Sequence, residues 1–157
     1  MSNGKSAKPR PTTKPGLLDV NVLIAMTWPS HESHGKVQRW LSELGRERWA
    51  SCPFTQTAFV RILANPAFSP NALTAADAVA LLQSNLGHSA HQFWHDDIGL
   101  VEAMALLQRK LVGHQQVTDA YLLALAIHNK GRLATLDRKL TALLPEKTAA
   151  RDVVIVI

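Results

Sequence analysis

Three aspartates stand where chemistry could be done: Asp19 in LLDVNVLIA, Asp119 in VTDAYLLALAI and Asp137 in GRLATLDRKL. Taken singly, each has an ordinary explanation. Aspartate is a favoured helix N-cap, and the first turn of a helix favours an acid through its macrodipole. Asp19 and Asp137 each end an apolar strand-like run and open a helix-like one, while Asp119 follows Thr118 at the start of a long apolar helix. Taken together they say more. Parallel strands direct their carboxyl ends to one edge of the sheet, the edge at which open α/β sheets bind ligands. Carboxylates gathered there repel one another unless a cation joins them. Hard divalent ions such as Mg2+ or Mn2+ take oxygen ligands. Such ions lower the pKa of a bound water and stabilise charge on phosphate oxygens. Hydrolysis of a phosphodiester bond is the chemistry this pattern suits.

The elements that must position these acids follow from periodicity and punctuation. Gly16–Val20 reads as a short buried strand passing directly into a helical turn, Asn21–Met26. Glu32–Leu44 carries a helical stripe of Val37, Trp40, Leu41 and Leu44, stopped at Gly45. Arg48–Cys52 is a second strand, Thr55–Ala64 a helix ended by Asn65-Pro66, and Thr74–Leu86 a helix opened by Thr74 and Asp77. His91–His95 is a third strand and Ile98–Leu111 a helix. The helix Thr118–Asn129 is closed by Gly131, Arg132–Leu136 is a strand, Asp137–Leu144 a helix and Asp152–Ile157 a last strand. Short strands alternating with longer helices imply an α/β domain with a mostly parallel central sheet flanked by helices.

Composition agrees with one packed domain of this kind. The 157 residues are 46% hydrophobic and 18% charged. The net charge of +5 is uneven: residues 1–15 hold Lys5, Lys8, Arg10 and Lys14 and no acid, so the remainder is nearly balanced. That leading stretch, rich in Pro, Lys, Ser and Thr, is expected to be a disordered basic tail, with the folded domain spanning residues 16–157. Neither a secretory leader nor a membrane span is visible, so a cytoplasmic protein is expected. The single Cys52 excludes an intramolecular disulfide and is expected to be a small buried side chain. His31 and His34, and the group His88, His91 and His95, are expected to be surface or half-buried residues rather than zinc ligands, since no third ligand is seen to converge. Trp49 is expected in the core, and Trp28, Trp40 and Trp94 in the core or at a dimer contact.

The segments LLDVNVLIA, VTDAYLLALA and GRLATLDRKL, in this order and spacing, resemble the PIN domain, and more closely the VapC-type toxins of bacterial toxin–antitoxin pairs. The stretch ERWASCPFTQTAFVRILANP is similar to the corresponding part of a VapC subgroup. The resemblance covers about residues 16–157. It implies an α/β/α fold and an Mg2+- or Mn2+-dependent endoribonuclease, with Asp19, Asp119 and Asp137 as metal-binding and catalytic acids. Asn21 and Thr135 match supporting polar positions. The family often has a glutamate in the helix after the second strand, and here that place falls on Gln56. An amide there offers an oxygen but no charge, so one firm metal and a substrate-dependent second are expected. Asp97, with Asp96, is a candidate extra acid, and Arg61, Arg138 and Lys139 are candidate RNA contacts. The resemblance also implies a cognate antitoxin and a homodimer. Two other readings stand beside it. A phosphatase with Asp19 as nucleophile would want an acid where the chain has Asn21. A non-catalytic PIN-like module, binding RNA or protein, would follow if Gln56 weakened the metal site.

Overall fold

The apolar runs around the aspartates become the strands of one parallel sheet. A computed structural model describes residues 14–108 and 111–157. The strands are β1 (Gly16–Leu18), β2 (Trp49–Ser51), β3 (His91–Phe93), β4 (Arg132–Thr135) and β5 (Val154–Val156), in the order β3-β2-β1-β4-β5 and all parallel. Between them run α1 (Val20–Thr27), α2 (His34–Leu44), α3 (Pro53–Leu63), α4 (Ala75–Leu86), α5 (Leu100–Leu107), α6 (Val117–His128) and α7 (Ala150–Val153). The period-two alternation of the strands sorts the core into two layers. Leu17, Ala50 and Leu133 face a core closed by α5, α6 and α7. Leu18, Trp49 and Ala134 face another closed by α1 to α4. The result is a three-layer α/β/α domain. From β1 the chain builds outward first to β2 and β3, then crosses to build β4 and β5 on the other side. The switch in direction therefore lies between β1 and β4, the place where such sheets open a crevice at their carboxyl ends.

Several boundaries differ from the sequence reading, each for a local reason. The segment after Asp137 is a 3-10 turn, Arg138–Leu143, rather than an α-helix. It ends where Leu144, before Pro145, takes extended backbone. α6 starts at Val117, after a 3-10 turn at His114–Gln116, so Thr118 is not its cap, although Asp119 is in its first turn. α5 stops at Leu107, where Gln108 turns left-handed (φ 52°), short of the expected Leu111. Asp152 belongs to α7, and the last strand begins at Val154. α3 opens earlier than expected, with Pro53 at its first position, where a missing N–H costs nothing.

The expected disordered tail lies outside the described residues apart from its last two, as do Arg109 and Lys110. Lys14 and Pro15 are tied down: their carbonyls accept from the Arg132 guanidinium and backbone N–H (3.3 and 2.9 Å). Trp49, Trp94 and Cys52 are buried, and Trp28 and Trp40 pack against the core from partly exposed positions. No helix among the described residues is long and apolar enough to cross a membrane.

Candidate metal centre

β1 and β4 are neighbours, with Leu18 in register with Ala134. Extending both by one residue sets Asp19 against Thr135. The Asp19 N–H donates to the Ala134 carbonyl (2.9 Å), and the Thr135 hydroxyl donates to Asp19 Oδ2 (3.1 Å). Asp19 Oδ1 accepts from the Val20 N–H at 2.7 Å, so Asp19 does cap α1. The capping role and the site role are thus carried by different oxygens. Thr135, fully buried, also accepts from the Asp137 N–H (3.1 Å), which ties the two acids to one hydroxyl. Asp137 in turn caps the 3-10 turn, accepting from the Lys139 N–H at 2.9 Å. Asp119 arrives from a different layer, on the first turn of α6.

Electrostatics show that the three acids share one neighbourhood. Burial raises the Asp19 carboxyl above its ordinary 3.8, the Thr135 and Val20 hydrogen bonds oppose this, and the Asp137 charge adds to it. Asp119 is pushed up to about 6, first by burial and then by the charges of Asp19 and Asp137. Like charges disfavour ionisation in this way when they converge without a counter-ion. Among the described residues, no group of three His, Cys, Asp or Glu side chains is close enough together to hold a metal ion. The donors on offer are carboxylate, hydroxyl and amide oxygens. That set fits a hard divalent ion, which keeps several of its waters and needs only one or two protein carboxylates. It does not fit zinc, which prefers a tight cage of nitrogen and sulfur.

The other candidate residues divide. Asn21 is exposed in the first turn of α1, beside Asp19 in sequence. Arg138 and Lys139 are exposed on the turn that Asp137 caps. Gln56 lies on α3, just beyond the carboxyl end of β2, and its amide nitrogen donates to the buried Ser51 hydroxyl (3.0 Å). Ser51 has one hydrogen to give, and His91 Nε2 is 2.8 Å away. Donor and acceptor between the hydroxyl and the imidazole are set by the ring's tautomer. Burial favours the neutral ring, lowering the His91 pKa. With its nitrogen committed, Gln56 keeps its carbonyl oxygen as the end available to a cation. The sequence reading missed Ser51 and treated His91 only as a half-buried residue. The available signal was a small polar residue ending a strand adjacent to that of Asp19.

Asp97 is not brought to the acids. It sits 3.1 Å from His128 Nε2, at the far end of α6, and Asp119 and His128 are roughly 13 Å apart along the helix axis. Nor does it cap α5, whose N-cap is Gly99. The Trp94 ring packs against Gly131 at the start of β4. Arg61 stands on another face of α3 from Gln56, beside Phe54 and Asp96. His31 and His34 are engaged with backbone, His31 Nδ1 accepting from the Ser33 N–H (3.0 Å) and His34 Nδ1 lying 2.7 Å from the Ala25 carbonyl.

Comparison with known proteins gives the family. Residues 16–143 match the PIN domain. The chain is 40% identical over 124 residues to Ribonuclease VapC39 of Mycobacterium tuberculosis, covering 79% of this chain and 89% of the relative. It is 41% identical over 121 residues to Ribonuclease VapC38 of the same organism (77% and 84%), and 42% identical over 131 residues to Ribonuclease VapC29 (81% and 89%). With this extent of similarity, the chain belongs to the PIN-domain family, in its VapC branch.

Proposed function

We propose that this chain is an endoribonuclease toxin that hydrolyses RNA phosphodiester bonds with Mg2+ or Mn2+ and is neutralised by a cognate antitoxin. The observation that carries the reading is the Thr135 hydroxyl joining Asp19 and the Asp137 backbone at the β1/β4 switch, with Asp119 near enough to respond to both charges. Asp19 and Asp119 would hold the ion, with Asp137 and the Gln56 carbonyl completing its surroundings. When bound, the ion supplies Lewis-acid polarisation of phosphate and a water of lowered pKa. The chain's own residues do the rest. Thr135 fixes the rotamer of Asp19 and the backbone of Asp137 through one hydroxyl. Asp119, raised to about 6, holds a proton more readily than an ordinary carboxylate and would have to release it to serve as a ligand. Arg138 and Lys139 offer positive charge to RNA phosphates along the acidic edge. The relatives' name, ribonuclease, supports RNA as substrate and disfavours a non-catalytic module. A cytoplasmic location and a homodimer belong to the same proposal.

The test is cleavage of structured RNA by the purified protein with Mn2+ or Mg2+, beside an Asp19→Asn variant. Cation-dependent cleavage, lost in the variant and abolished by chelator, is expected. RNA binding without cleavage by the wild-type chain under any divalent ion would refute the proposal.

A further inference from the structure

A second feature of the carboxyl edge is not explained by metal chemistry. Positions 54, 57, 58 and 61 share one face of α3, and with Pro53 and Asp96 they line an open cavity of about 320 Å3. Phe54 is 42% exposed at its mouth, an unusual position for a phenylalanine in a helix whose other aromatic, Phe59, is fully buried. The Phe54 ring stands 6.3 Å from that of Tyr121, tilted by 46°. Tyr121 follows Asp119 by two residues on α6, and its hydroxyl donates to the Ile98 carbonyl (3.1 Å), which fixes the ring. Among the described residues neither Arg61 nor Asp96 has an ion-pair partner. The cavity thus combines an exposed aromatic, an unpaired guanidinium and an unpaired carboxylate, one aromatic contact away from the helix that carries Asp119.

We infer that this cavity is a nucleotide subsite, in which Phe54 stacks on an unpaired base of the RNA and Arg61 holds an adjoining phosphate. The inference rests on the ribonuclease reading. Aromatic side chains bind single-stranded bases by stacking, and Arg is suited to phosphate. A cavity near 320 Å3 lies at about the small end of ligand pockets, which suits one base and not a duplex. Asp96 repels phosphate but accepts from an exocyclic amino group, so it favours cytosine, adenine or guanine over uracil, which has none. A free apolar surface made to seat another protein would have no use for two unpaired opposite charges around one ring. The subsite would set which nucleotide lies beside the cleaved bond.

The experiment uses the full chain and short single-stranded RNAs, with binding read by fluorescence anisotropy in an Asp19→Asn background and cleavage read in the active chain. Phe54→Ala and Phe54→Leu are expected to weaken binding, and raise KM, by about 5- to 100-fold with kcat little changed. Phe54→Trp should restore both. Uridine at the sensitive position should bind less well than cytidine, and Asp96→Ala should remove that difference. A leucine variant equal to wild type would overturn the inference, because apolar cover without stacking would then suffice. So would unchanged RNA affinity in Phe54→Ala accompanied by loss of a dimer in light scattering, which would assign the ring to a contact between copies. If the wild-type chain binds RNA but does not cleave it, the ribonuclease reading fails while the anisotropy series still decides the subsite.

Discussion

Replacing Asp119 by Asn should stabilise the cation-free protein while abolishing its chemistry. The folded chain holds Asp119 at a pKa of about 6 against an ordinary 3.8, with burial as the larger cause and the charges of Asp19 and Asp137 behind it. The raised value means that between about pH 4 and 6 the folded chain keeps a proton that the unfolded chain has released. The stability this group contributes is therefore full below about pH 4 and is lost as pH rises through 6. The displacement sets an upper limit of about 3 kcal/mol on the cost of an ionised Asp119. The group is half-buried, so screening by solvent reduces the cost to about 1 kcal/mol. Asn cannot ionise and has nearly the same shape. Near pH 7.5 without divalent ions, Asp119→Asn is expected to raise the melting temperature by about 2–4 °C. Near pH 4 the two proteins should melt together. Adding Mg2+ or Mn2+ should raise the melting temperature of the wild type by about 1.4 kcal/mol equivalent at ten times the dissociation constant, and that of the variant much less. Thermal unfolding at several pH values, with chelator or cation, measures all of this. A variant less stable than wild type near pH 7.5, or a difference independent of pH, would show that Asp119 is not held against repulsion, and the acidic cluster would lose its electrostatic basis.

Three further outcomes follow from the geometry. Thr135→Val removes the hydroxyl that serves both Asp19 and the Asp137 N–H, so unfolding in urea should show a loss of about 1–3 kcal/mol, with RNA cleavage reduced further than stability alone explains. Gln56→Glu adds a fourth carboxylate and removes the amide that donates to Ser51, so titration calorimetry should show Mn2+ binding about tenfold tighter while the cation-free protein melts lower. Gly131→Ala would place its new carbon 2.4 Å from Trp94 Cη2 and 2.7 Å from the Pro15 carbonyl. Since one of those neighbours is backbone, denaturant unfolding should show a loss of about 1–3 kcal/mol, with divalent-cation affinity unchanged below the melting range.

The relation between these residues explains what was legible in advance. Asp19 and Asp137 were readable because each interrupts an apolar run at the point where a period of two gives way to a helical one, and polar residues at such points are few. Asp119 was readable because it opens an apolar helix. The boundary errors came from turn chemistry: the segment after Asp137 closed as a 3-10 turn, and the left-handed Gln108 ended α5 early. Asp97 was misplaced because sequence proximity to a strand end says nothing about the direction in which the following loop runs, and this loop runs back to His128.

By itself the sequence determined the layers, since alternation and helical stripes fix which faces are apolar, and it determined which acids stand at element starts. Only the tertiary structure decided that β1 and β4 are neighbours, because strand order depends on packing between segments more than a hundred residues apart in the chain. That pairing sets Thr135 against Asp19 and brings α6 and its Asp119 over the same edge, while the β2/β3 pairing links Gln56 through Ser51 to His91. Three helix-start aspartates become one electrostatic site through these long-range contacts, and no local pattern encodes them.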